Sequence, residues 1–176
     1  MTARAPRSPK PSSGSSSGLS SGISLGLPSG LVSAVQAGAL LAASAIATWW
    51  VTRTPPEEEA AAEGFRLSEA EYAIEPVALP HWGEAVMGVG ALVLVPLLAV
   101  LLIRGVAAGH IPPRWGGVVL ILVPVAVMAG LWWMIGTAPV IGANLLLDLA
   151  RPVFGPASLL LLVFAAATAI SALRRR

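Results

Sequence analysis

Residues 111–137 read IPPRWGGVVLILVPVAVMAGLWWMIGT, and from Gly116 onward this run carries no charge. At 1.5 Å per residue, roughly twenty helical residues cross a hydrocarbon core about 30 Å thick, so this stretch is long enough to span a bilayer. Arg114 stands at its start, while Trp132 and Trp133 stand near its end, where indole rings favour the headgroup region. Three further runs have the same character, at about 31–51, 84–103 and 153–173, and the organising run itself counts as a span over about 115–137.

Composition supports this reading throughout. Mean hydropathy is +0.79 and 11% of residues are charged, against about 25% in an ordinary soluble domain. So few charges cannot cover 56% hydrophobic residues in water. The net charge of +2 comes from basic residues that are scattered or terminal rather than gathered on one face, which argues against nucleic acid as a partner. Cysteine is absent, so disulfides and thiolate metal sites are excluded. Alanine, glycine, proline and arginine are abundant while Lys10 is the sole lysine, a bias associated with GC-rich bacterial genomes.

Outward from the spans, residues 1–30 are rich in Ser, Gly and Pro and have no apolar face that would offset the entropy of ordering, which predicts a disordered cytoplasmic tail. Residues 31–176 are read as one four-helix transmembrane domain. A cleaved signal peptide is the rival for the first span, but its apolar run has the length of a full crossing. Within that span, Ala39, Ala43 and Ala47 form one ridge of small residues and Ala34, Gly38 and Ala42 another, the spacing that lets helices approach closely in lipid.

The sizeable polar connection, residues 52–81, predicts two short helical pieces on the membrane surface. One opens on Thr54 as cap with Pro55 at the first helical position and ends at Gly64; the other is capped by Ser68 with Glu71. In residues 138–151, Leu145, Leu146, Leu149 and Val153 share a helical stripe while Asn144, Asp148 and Arg151 face water. This predicts a short interfacial helix or an extension of the third span.

Charge sets the expected topology. With the amino terminus in the cytosol, the inner side holds Arg4, Arg7, Lys10, Arg104, Arg114 and residues 174–176, eight of the eleven basic residues and no acid. The outer side holds Arg53, Arg66 and Arg151 with all nine acids. Positive-inside counting therefore places both termini in the cytosol of a multi-pass cell (inner) membrane protein. Short connections among the last three spans predict antiparallel neighbours, and the expected fold is an all-α membrane protein with four transmembrane helices in an antiparallel bundle.

Candidate functional residues are sparse. Pro96 and Pro124 recur in matching text, Leu94-Val95-Pro96 and Leu122-Val123-Pro124, and free the carbonyls of Leu92 and Leu120. Kinked helices of this kind pack in ordinary bundles and also line transport sites. Gln36 is the main strongly polar side chain in the first span and can bond across to a neighbouring helix. His81 and Glu84, three apart at a helix start, share a face and, with Glu75 or Asp148, offer a cation site or an acid/base pair. His110 lies a membrane thickness from His81, so the two cannot clamp one haem. No phosphate-binding glycine loop, metalloprotease motif or serine-hydrolase motif occurs, and no catalytic residue, cofactor or metal ligand is assigned.

In outline the chain resembles small four-span bacterial inner-membrane proteins. The leading functional expectation is a non-enzymatic accessory, assembly or regulatory subunit whose partners are the lipid bilayer and other membrane proteins or further copies of itself. A small transporter or channel component working as an oligomer around Pro96 and Pro124 is the alternative. An enzyme using His81, Glu84 and Asp148 ranks third.

Overall fold

Four long apolar helices dominate the computed structural model, which describes residues 29–141 and 144–174. The expected tail, residues 1–30, and the last two arginines lie almost wholly outside the described residues. The helices are α1 (Ser29–Thr52), the short α2 (Pro56–Glu63), α3 (His81–Ala107), α4 (Pro113–Thr137) and α5 (Leu145–Leu173), with a 3-10 turn at Leu67–Glu69. Each long helix is sufficient in length and composition to cross a membrane. The chain is thus a small multi-pass membrane protein.

Local chemistry sets the helix ends. Pro80 precedes α3, and α4 begins at Pro113, whose missing N–H falls where the helix needs no donor. Gly109, at φ +74°, ends α3: its N–H reaches the Val106 carbonyl at 3.0 Å and the next N–H, of His110, reaches the Gly105 carbonyl at 3.0 Å. This pairing satisfies the last carbonyls of the helix. Gly64, at φ 81°, closes α2 as expected, but α2 starts one residue later than its sequence indicates, with Pro55 rather than Thr54 at the cap.

Two other expectations change. Residues 145–173 form one continuous helix, neither a separate interfacial piece nor an extension of α4. Asn144 caps it by accepting from the Leu147 N–H at 3.0 Å, and the helix runs through Pro152 and Pro156. In lipid a broken backbone would leave polar groups unsatisfied, so helix persists across proline. The second surface piece is only the 3-10 turn, since Glu71 pairs its backbone with Val140 in an isolated bridge.

Packing departs from a closed bundle. α1 lies between α3 and α4, and α5 packs on α4 alone among the described elements, giving the row α3–α1–α4–α5. α3 and α4 touch mainly near their short turn, where Ile111 meets Gly105 and Val106 meets Gly116. Contact pairs give the helix senses: Arg53 with Glu84 and Gln36 with Leu98 run α3 against α1, while Asn144 with Ile135 and Ser158 with Met128 run α5 against α4.

Small residues explain why α1 sits centrally. Ala43 and Ala47 are buried against Ala91 of α3, with Ile46 and Val95 packed around them. Gly88 lies directly beneath the Trp50 ring, and Gly130 of α4 lies against the Ala45 carbonyl. Lipid tails are as apolar as leucine, so close packing rather than exclusion from water selects these neighbours. Hydroxyls within α1 are satisfied locally: Ser44, Thr48 and Thr52 donate to the carbonyls of Leu40, Ser44 and Thr48 at 2.8, 2.8 and 2.7 Å.

Candidate functional site

The last turn of α4 is the anchor of the acidic end. A helix C-terminus leaves four carbonyls without intrahelical donors. Here Asn144 Nδ2 donates to the Ile135 carbonyl at 2.9 Å, the Ile74 N–H donates to the Gly136 carbonyl at 2.8 Å, and Thr137 Oγ1 donates to the Met134 carbonyl at 3.3 Å. The Glu71–Val140 bridge adds two more backbone bonds, at 2.8 and 3.1 Å. These contacts pin the strap of residues 70–80 at Glu71 and Ile74 to the end of α4, and Pro139 nearby in sequence is fully buried.

Under this strap is a cavity of about 500 Å³. Its walls are apolar: Ala45, Ile46 and Trp49 from α1, Met87 from α3, Trp133 and Met134 from α4. Residues of α2 and of the strap, including Glu59 and Val77, complete the lining. Three charged side chains reach it. Arg53 Nη2 donates to Glu84 Oε2 at 2.8 Å, with both side chains largely shielded at 24% and 21% exposure, and the guanidinium sits 4.6 Å from the Trp49 ring centroid. The ion pair and the cation–π contact fix the arginine between α1 and α3. Glu59 has no ion-pair partner among the described residues. Partial burial, and secondarily the neighbouring Glu63, push its carboxyl above the usual 4.5.

A second groove, of about 530 Å³, opens between α3 and α4 toward the other end, lined by Leu40, Ser44, Val95, Ala99, Val119 and Val123 with no charged side chain. Leu40 and Trp49 are nine residues apart on α1, about half a turn around the helix at 100° per residue. The groove and the cavity thus occupy opposite faces of the row.

The residues singled out from sequence are mostly dispersed. Pro96 and Pro124 are exposed on the outsides of α3 and α4 and line neither cavity. Gln36 reaches α3 as expected, donating from Nε2 to the Leu98 carbonyl at a long 3.4 Å. His81 is exposed at the start of α3. Asp148 faces solvent beside Arg151 at 3.5 Å, both side chains 63% exposed. Glu84 alone of this set lines the cavity, and its partner is Arg53 rather than His81. No group of three potential metal-ligating side chains occurs among the described residues.

Arg53 and Glu59 are not singled out by the sequence because each gains its role from residues distant in the chain, whereas Asn144, expected to face water, instead caps α5 and reaches back to the end of α4. A signal did exist for Arg53: an arginine four residues after Trp49 at a helix end lies one turn above that ring. Comparison with known protein families, characterised protein sequences and solved structures finds no match to this chain.

Proposed function

We propose that this protein is a non-enzymatic accessory or regulatory component that acts by packing against other membrane proteins. One observation carries the reading. Ala34, Gly38 and Ala42 form a ridge of small residues on the central helix that stays exposed, and a Cβ added at Gly38 would meet nothing within 4 Å. The parallel ridge on the same helix is largely consumed by the fold, with Ala43 and Ala47 buried against α3. An open ridge of small residues in lipid accepts a close-packed helix, because backbones can approach there without a side chain between them. The row arrangement adds surface, since α5 is covered on one side only.

In the proposed orientation both termini are cytoplasmic and the acidic end, with α2 and the strap, faces outward. Positive-inside counting supports it, with Arg104, Arg114 and Arg174 all at the end opposite the acids. A transporter or channel component is the second reading, and the cavity at the acidic end favours it.

The test is association in native lipid. Protein extracted into native nanodiscs and cross-linked should yield higher-mass complexes. Gly38→Leu should abolish them without lowering the melting temperature of the purified chain. A single uncomplexed chain in the wild type, or complexes indifferent to Gly38→Leu, would refute the proposal.

A further inference from the structure

We propose that the cavity beneath the strap binds a compact lipophilic organic cation, its apolar body between Trp49 and Trp133 and its positive centre against the Glu59 carboxylate. The site is distinct from the small-residue ridge and requires no protein partner, so it stands or falls separately from the association reading.

Size and lining come first. A volume near 500 Å³ lies inside the range of about 300–1,000 Å³ typical of small-molecule sites, which are apolar with a few placed polar groups. This is too small for a whole two-chain phospholipid. It suits a compact body stacked on indole rings and on the soft thioethers of Met87 and Met134.

Charge then selects the sign. Three charged side chains line the cavity, two carboxylates and one guanidinium. Arg53 is engaged by Glu84 at 2.8 Å and by the Trp49 ring, so an arriving anion would have to displace a carboxylate from it. Glu59 is half-buried and lacks a cationic partner among the described residues. A bound cation would supply that partner and would be attracted by the negative faces of the aromatic rings. The wider field acts in the same direction, because all nine acidic residues cluster at this end of the helix row.

The architecture also gives a route in. The strap is held by backbone hydrogen bonds to Gly136 and Val140, on the α4 side. Trp133 is 40% exposed, so the wall it forms is reachable from the headgroup region. An amphiphilic cation concentrates in that same region and would enter sideways rather than from bulk water.

The experiment uses the full chain in phosphatidylcholine nanodiscs, titrated with tetraphenylphosphonium and, separately, with tetraphenylborate, an anion of nearly the same size and shape. Tryptophan quenching and equilibrium dialysis should show saturable binding of the phosphonium at one per chain, and only non-saturable partitioning of the borate. Glu59→Gln should weaken phosphonium binding by about tenfold or more, and Met87→Trp, which narrows the cavity, should weaken it as well. Circular dichroism and melting of each variant establish that it is folded; should Met87→Trp fail to fold, the borate control and Glu59→Gln still decide the matter. Equal binding of both ions, no saturation, or wild-type affinity in Glu59→Gln would overturn the proposal. So would native mass spectrometry that finds a phospholipid retained in the wild type and undisplaced by the phosphonium.

Discussion

Replacing Gly130 by alanine tests the packing that places α1 at the centre of the row. A Cβ built there falls onto the Ala45 carbonyl oxygen and meets the Thr48 Cβ at 3.0 Å. A backbone carbonyl cannot rotate aside as the end of a long side chain can, so α1 and α4 must separate. Overpacking of this kind costs about 1–3 kcal/mol, and a rigid neighbour puts Gly130 at the upper end. Alanine returns up to about 1 kcal/mol through its better helix propensity, leaving a net destabilisation of roughly 2 kcal/mol. On the scaling of about 2–4 °C per kcal/mol for chains of this size, the melting temperature should fall by about 4–8 °C. Gly38→Ala is the matched control, because the same methyl there meets open space and only the propensity gain remains. Thermal unfolding of both variants in one detergent, followed by tryptophan fluorescence, gives the comparison. If Gly130→Ala melts with the wild type, or the two variants shift equally, α1 and α4 do not approach as closely as described and the row arrangement is wrong.

Two further outcomes are expected. Glu84→Gln removes the ion pair that ties the end of α1 to the start of α3; for a pair about three-quarters shielded the loss should be about 1–2 kcal/mol, between exposed and fully buried cases. Arg53→Gln should give a similar loss, and the double variant should lose clearly less than the sum of the two, as read by thermal melting. Glu59 gives a pH signature. Its folded-state value lies above the unfolded 4.5, so in the window between the two the folded chain binds more protons than the unfolded one. Stability therefore declines as pH rises through that window, and the penalty persists at neutral pH. Melting curves from about pH 4 to pH 7 should show Glu59→Gln gaining on the wild type as pH rises; a constant difference would contradict the assigned burial.

The membrane-spanning character was legible because it depends on local composition. A run of apolar residues long enough to cross a hydrocarbon core must be helical there, whatever it packs against. The span near 115–137 therefore matched α4 within about two residues at its start and at its end. The fourth span did not, and the true helix begins eight residues earlier than the sequence reading placed it, at Leu145 rather than 153. Residues 138–151 read instead as a short interfacial helix or an extension of the third span, because Asn144, Asp148 and Arg151 give them a polar face suited to the membrane surface. The Asn144 cap and the absence of any alternative backbone partner in lipid overrode that reading.

Sequence by itself thus determined how many times this chain can cross a bilayer, where the charges collect at either end, and that α1 carries two ridges of small residues. Tertiary structure decided which ridge is used, set α1 rather than α4 beside α3, closed a strap over the acidic end, and brought Arg53, Glu59 and Glu84 to one cavity. The physical reason is the solvent. Water enforces burial and so writes it into each segment's periodicity, whereas lipid is indifferent to which apolar faces meet. Neighbours are then chosen by fit, by Gly88 under Trp50 and Gly130 against Ala45, and fit belongs to pairs of surfaces that no single stretch of sequence displays.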